Sequence, residues 1–171
     1  MKVIFLDVDG VLNDYDTCLA FVKEYQRTGV LKAELNEEMV SNLKEIVDRT
    51  DAKIVLSSSW RLYGCMDNGK FIPKQYKAKG LVDMFDKYGM EIYDTVSYSR
   101  TRGLQILDYV YMNDVDDYIV LDDDEEELRL LPREVIIKTH FYSEDEETGL
   151  SSKHVKKAIK KLNRGKRLIK K

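Results

Sequence analysis

The residues of this chain best suited to chemistry are two carboxylates two positions apart, Asp7 and Asp9, in the stretch VIFLDVDGVLN over residues 3–13. They follow the apolar run Val3, Ile4, Phe5 and Leu6. Side chains two apart in an extended chain point the same way. Two carboxylates at the mouth of an apolar strand repel each other and resist burial, unless a cation lies between them. Aspartate oxygens with a backbone carbonyl suit a hard ion such as Mg²⁺. A calcium loop of the EF-hand kind is excluded by spacing. Such a loop needs glycine at its sixth position and glutamate at its twelfth. Counted from Asp7, Gly10 is fourth and Cys18 is twelfth.

The elements that must position these groups alternate along the chain. A short β-branched run ended by carboxylates and a glycine reads as a buried parallel strand, whose C-terminal end is where an open α/β sheet places its ligands. A loose helical pattern follows over 15–27, through Leu19, Val22 and Tyr25, and a clearer one over 37–49, with Met39, Leu43, Ile46 and Val47 inward and Asn36 as N-cap. The second strand is predicted over 52–58. Residues 62–80, with Gly64, Gly69, Pro73 and Gly80, read as turns in a solvated or site-flanking loop. A short helix is expected over 81–88, with Leu81, Met84 and Phe85 inward and Gly89 beyond its end. A third strand follows over 90–96, then a helix over 102–112 through Leu104, Leu107, Val110 and Tyr111. The fourth and fifth strands are expected over 117–124 and 134–140. A last helix, capped by Ser151 or Ser152, carries Val155, Ala158, Ile159 and Leu162 on one face. The alternation predicts an α/β fold with a mainly parallel sheet.

Polar clusters recur at the ends of these elements. Asp7-Val8-Asp9-Gly10-Val11 ends the first strand. Ser57-Ser58-Ser59-Trp60-Arg61 ends the second, Arg100-Thr101-Arg102-Gly103 opens a helix, and Asp122-Asp123-Asp124 ends the fourth strand. A solvated acidic helix start would account for Asp124 to Glu127. It does not account for carboxylates that begin directly after Ile119, Val120 and Leu121.

These four clusters, in this order, resemble the four motifs of the haloacid dehalogenase (HAD) superfamily of phosphohydrolases, over almost the whole chain. The resemblance implies a Rossmann-like core with a five-stranded, mainly parallel sheet in the order 5-4-1-2-3, flanked by helices. Strands one and four are then neighbours, which brings Asp7 and Asp9 to Asp122 and Asp123. It implies Asp7 as a nucleophile forming an aspartyl-phosphate, and Asp9 as the acid that protonates the leaving oxygen and later activates water. The family's dehalogenases lack the second aspartate, so Asp9 favours phosphoryl transfer. Mg²⁺ would be held by Asp7, the Asp9 backbone carbonyl and Asp122, with Asp123 as a ligand or its partner. Ser58 and Arg102 would bind the phosphoryl oxygens. Ser57 is the alternative hydroxyl, and Arg100 and Arg61 are the alternative cations.

The run Leu56 to Arg61 narrows the resemblance to the HAD domains of Swiss-army-knife RNA-repair proteins, distant relatives of the phosphatase half of polynucleotide kinase-phosphatases. Spacing between the motifs leaves room for little or no cap domain, so an open site is expected. A Mg²⁺-dependent phosphomonoesterase acting on a nucleotide or a polynucleotide end is therefore expected, with a phosphorylated small molecule or a nucleic-acid end as its partner. The rival class is a non-catalytic phosphate-binding or receiver-like regulatory module. A receiver, however, carries its acidic pair first and its phosphorylated aspartate at a later strand end, the reverse of the order here.

Composition bounds the rest. The 171 residues, 43% hydrophobic and 35% charged, suit one domain of a soluble protein. Cys18 and Cys65 have no metal-ligand spacing and read as reduced thiols. Asp7 interrupts the N-terminal apolar run too early for a signal peptide, and no stretch approaches membrane-spanning length, so a cytoplasmic protein without a membrane partner is expected. The net charge of −3 hides an asymmetry: residues 153–171 hold ten basic residues and no acidic one, which leaves 18 basic against 31 acidic elsewhere. The expected organisation is a hydrolase domain over 1–163 and a basic tail over 164–171, the tail being a candidate contact for nucleic acid.

Overall fold

A computed structural model describes residues 1–98 and 101–164. Strands β1 (Lys2–Leu6), β2 (Lys53–Leu56), β5 (Ile92–Thr95), β6 (Asp117–Asp122) and β7 (Ile136–Lys138) form one sheet in the order β5-β2-β1-β6-β7. Every neighbouring pair is parallel. Counting only these five strands, the order is the predicted 5-4-1-2-3, read from the opposite edge. β3 (Gly64–Asp67) and β4 (Lys70–Pro73) form a separate antiparallel hairpin.

The central strands are buried on both faces, which is why they read as continuous apolar runs instead of alternating ones. Ile4, Leu6, Ile54, Leu56, Ile119 and Leu121 face a core completed by Leu43 and Ile46 of α2 (Glu37–Thr50), Leu81 and Phe85 of α3 (Tyr76–Lys87), and Val155, Ile159 and Leu162 of α5 (Ser152–Leu162). Val3, Phe5, Val55 and Val120 face the other side, under Ile106 and Tyr109 of α4 (Arg102–Met112) and Leu128. Each fully buried aliphatic side chain contributes ~1.5–3 kcal/mol relative to exposure.

Four sequence expectations are corrected. Residues 62–80 are not one loop: a 3₁₀ turn over Ser59–Tyr63 leads into the β3–β4 hairpin, and α3 begins at Tyr76. Asn68 and Gly69, both at positive φ, make the tight reversal. The lysines of that stretch concealed the alternation of Phe71 inward with Ile72 outward. Second, α4 has the predicted bounds, and Leu107 and Val110 pack partly buried against the core, but its most buried residues are others. Gly103, Gln105, Ile106 and Tyr109 are buried, whereas Tyr111 is 89% exposed. The periodic count missed this because two inward groups are polar, satisfied by an Arg61–Gln105 bond of 2.9 Å and a Tyr109–Asp94 bond of 3.0 Å. Third, α1 (Tyr15–Thr28) forms with Asp14 as its N-cap, yet none of its residues is buried. Leu19, Val22 and Tyr25 stay exposed. Fourth, the strands are shorter than predicted at most ends, because Ser57 and the residues beyond Asp122 have already left the ladder.

Cys18 and Cys65 are free thiols, and among the described residues no helix is long and apolar enough to cross a membrane. Arg100 and residues 165–171 of the basic tail lie outside the described residues.

Candidate active site

The parallel ladder fixes the site. Leu6 of β1 pairs with Leu56 of β2 and with Leu121 of β6, so the three strands end level. Asp7, Ser57 and Asp122 are therefore brought together at the C-terminal edge of the sheet. The Asp7 backbone N–H donates to the Leu121 carbonyl at 2.9 Å, and the Ser57 N–H donates to Leu6 at 2.9 Å.

Carboxylate oxygens of Asp7, Asp122 and Asp123 can lie within 4.8 Å of one another. Asp7 and Asp122 are buried and Asp123 half-buried. Burial, then Asp7 alongside, pushes the Asp122 carboxyl up to about 7. Asp123 is raised by the same causes. Asp7 is raised by burial, against the opposing pull of Arg102 and a hydrogen bond from Ser58. Three crowded carboxylates, two of them buried, favour a hard divalent cation, and the donor set fits one.

Arg102 is the cation already present. Its Nη1 lies 3.1 Å from Asp7 Oδ2 and 2.5 Å from Asp122 Oδ2. Burial works against its charge, but the two carboxylates outweigh that and hold its pKa above the ordinary value. Its position follows from α4, whose first N–H groups meet Glu127: the Arg102 N–H donates to Glu127 Oε2 at 3.1 Å. Arg61 is committed elsewhere. Its Nη1 donates to the Ser57 and Ser58 carbonyls, each at 2.6 Å. That clamp holds the turn after β2.

The three serines are distinguished by their partners. Ser58 helps lower the Asp7 carboxyl, and its Oγ accepts from the Trp60 N–H at 3.3 Å. Ser57 Oγ is buried with no partner among the described residues. Asp124 is a turn former: its Oδ1 accepts from the N–H groups of Glu126 and Glu127 at 3.0 and 3.2 Å.

Asp9 is not in the carboxylate cluster. The chain leaves the extended form after Asp7, with Val11 and Leu12 N–H groups donating to the Val8 carbonyl. This turn swings the Asp9 side chain towards Trp60 Nε1 and Asn13 Nδ2, each 2.9 Å away. Two-residue spacing predicted a shared direction, and the turn removes it. Trp60 and Asn13 are the site residues that the sequence reading missed. An indole N–H one residue past a serine run carries no signal by itself.

Gly10 makes the turn possible. Its φ is +77°, and a Cβ there would stand 2.5 Å from the Asp123 carboxyl carbon. Gly10→Ala should therefore combine a left-handed penalty of about 1–2 kcal/mol with displacement of Asp123. A melting temperature lowered by several degrees and a weakened response to divalent cations are expected. An unchanged response to divalent cations would show that Asp123 moves aside freely, and an unchanged melt would show that neither cost is real.

The sequence matches, over residues 3–155, the family described as "HAD domain in Swiss Army Knife RNA repair proteins". No curated protein and no solved structure matches the chain.

Proposed function

Because this chain belongs to the family of HAD domains found in Swiss Army Knife RNA repair proteins, we propose that it is a Mg²⁺-dependent phosphomonoesterase, acting through an aspartyl-phosphate on a nucleotide or polynucleotide-end phosphate. The observation that carries this reading is the buried Asp7 carboxylate, grouped with Asp122 and Asp123 and 3.1 Å from the Arg102 guanidinium. A phosphoryl group at that point would meet a nucleophile, a cation and a metal-holding set at once.

In the proposed mechanism, an Asp7 oxygen attacks phosphorus while the bond to the leaving oxygen breaks. Asp9 gives that oxygen its proton. Asp9, now a carboxylate, takes a proton from water. The resulting hydroxide attacks the aspartyl-phosphate, releasing phosphate and restoring Asp7. Arg102 and the Ser58 hydroxyl stabilise charge on the transferring oxygens. Asp7, the Asp9 carbonyl, Asp122 and Asp123 would hold Mg²⁺, which when bound supplies further positive charge to the phosphoryl group. Residues 164–171 would add backbone contacts to a polynucleotide.

The testing experiment is phosphate release from nucleotides, phosphosugars, phosphopeptides and 3′- or 5′-phosphorylated oligonucleotides, with Mg²⁺ and with EDTA. Release from nucleotides or oligonucleotide ends, abolished by EDTA, is expected. Preference for phosphosugars or phosphopeptides would overturn the substrate class. Asp122→Ala should raise the Mg²⁺ concentration at half-activity by about tenfold or more, since an anionic ligand is lost. Asp124→Ala should shift it far less, and the reverse ranking would misplace the metal set.

A further inference from the structure

Both oxygens of the Asp9 carboxylate are held by side chains, one from the same turn and one from the 3₁₀ turn after β2. Trp60 Nε1 donates to Oδ2 at 2.9 Å, and Asn13 Nδ2 donates to Oδ1 at 2.9 Å. These donors belong to a closed circuit. The Trp60 indole is 1% exposed, and Lys77 Nζ lies 5.1 Å from its ring centroid. Lys77 pairs with Glu34 Oε2 at 3.3 Å. The Glu34 carbonyl accepts from the same Asn13 Nδ2 at 2.9 Å, and Asn13 Oδ1 accepts from the Gly10 N–H at 3.0 Å. The circuit thus ties the turn after β1, the 3₁₀ turn after β2, the linker before α2 and the first turn of α3 to one carboxylate.

We propose that Trp60 is a positioning residue: its indole N–H fixes the rotation of the Asp9 carboxyl group so that the group faces the leaving oxygen. This rests on the phosphatase reading above, in which Asp9 is the proton donor. The geometry suits that task in either protonation state. A carboxyl group keeps acceptor capacity when it carries a proton, so both N–H···O bonds survive the transfer. They confine the O–H to the lone-pair positions that Trp60 and Asn13 leave open. A buried indole N–H needs a partner in any case, but a backbone carbonyl would serve a purely structural need. Here the partner is a side chain two residues from the proposed nucleophile. Misplacing a proton donor by an ångström is enough to cost two orders of magnitude in rate.

A positioning role and a structural role differ in one readout. General-acid assistance matters for a poor leaving group and little for a good one. The quantity kcat/KM includes leaving-group departure and excludes the later hydrolysis of the aspartyl-phosphate. The probes are an alkyl phosphate and 2,4-dinitrophenyl phosphate, assayed with Mg²⁺. Trp60→Phe keeps most of the ring and removes the donor. Replacing Trp60 by 3-benzothienylalanine keeps the bicyclic shape and removes only the N–H, which preserves the test should Trp60→Phe fail to fold. In both variants, kcat/KM for the alkyl phosphate is expected to fall about tenfold or more beyond the fall for the dinitrophenyl ester. Equal losses on the two substrates would make Trp60 structural and overturn the inference. So would wild-type values for the benzothienyl variant. If the wild type turns over neither substrate, the phosphatase reading falls and the inference with it. If the wild type is active and Asp9→Asn discriminates between the substrates while the Trp60 variants do not, the inference alone is wrong.

Discussion

Asp7→Asn should abolish Mg²⁺-dependent aryl-phosphate hydrolysis, by about 10⁴-fold or more in kcat, while leaving the fold intact. An amide oxygen is a poor nucleophile, and no neighbouring carboxylate can replace it. Asp122 and Asp123 are held by β6 and the turn beyond it, and Asp9 faces Trp60 and Asn13. Asparagine keeps the shape and can still meet Arg102 through its oxygen. It also removes one of the crowded negative charges that raise the Asp122 and Asp123 carboxyls. The variant should therefore melt no lower than the wild type in EDTA, which separates loss of chemistry from loss of structure. Trapping a phosphorylated enzyme from the wild type after rapid acid quench, and none from the variant, would complete the case. Wild-type turnover by Asp7→Asn would refute the covalent mechanism. Asp9→Asn should also be severely impaired, and most strongly for poor leaving groups.

Much of this arrangement was legible in the sequence because it depends on local patterns. Strands buried on both faces announce themselves as apolar runs, and a parallel ladder brings their ends level. That β1 and β6 are neighbours was implied only by the family resemblance, and with that pairing Asp7 and Asp122 converge. Arg102 was one of three arginines that the resemblance offered, and α4, which begins at Arg102, places its guanidinium 3.1 Å from Asp7 Oδ2. What was not legible was the direction of side chains after the strands stop. The turn at Val8 to Leu12 separates Asp9 from Asp7, and it depends on a positive φ at Gly10 that spacing does not encode. Trp60 meets Asp9 only through tertiary packing, and Asn13 meets it only because that turn folds back on itself. The inward face of α4 was only partly legible for a related reason. Gln105 and Tyr109 are buried with polar partners on other elements, so a count of apolar residues found Leu107 and Val110 but not these two.

Arg102→Met should show how far the site depends on a cation, through two separate readouts. The substitution keeps an unbranched chain in the same space and removes the charge lying 3.1 Å from Asp7 Oδ2 and 2.5 Å from Asp122 Oδ2. In catalysis, the guanidinium would stabilise the phosphoryl oxygens, and loss of one such donor is worth about 10²–10³ in kcat. In stability, Arg102 is what lowers the Asp7 and Asp122 carboxyls against the effect of burial. Without it, both folded-state values rise further above the unfolded ones. A carboxyl whose folded pKa is raised binds more protons when folded, so stability falls as pH rises from the unfolded pKa towards the folded one. In EDTA the variant should therefore lose melting temperature between pH 5 and pH 8 more steeply than the wild type. Removing one partner of a buried ion pair is worth ~3–5 kcal/mol when nothing else compensates. Protonation relieves that penalty at pH 5, and a divalent cation should relieve it at pH 8. Mg²⁺ should thus raise the melting temperature of the variant more than that of the wild type at pH 8. Equal pH slopes in EDTA and equal responses to Mg²⁺ would mean that Arg102 does not compensate these carboxylates. A kcat within about threefold of wild type would remove it from the phosphoryl site.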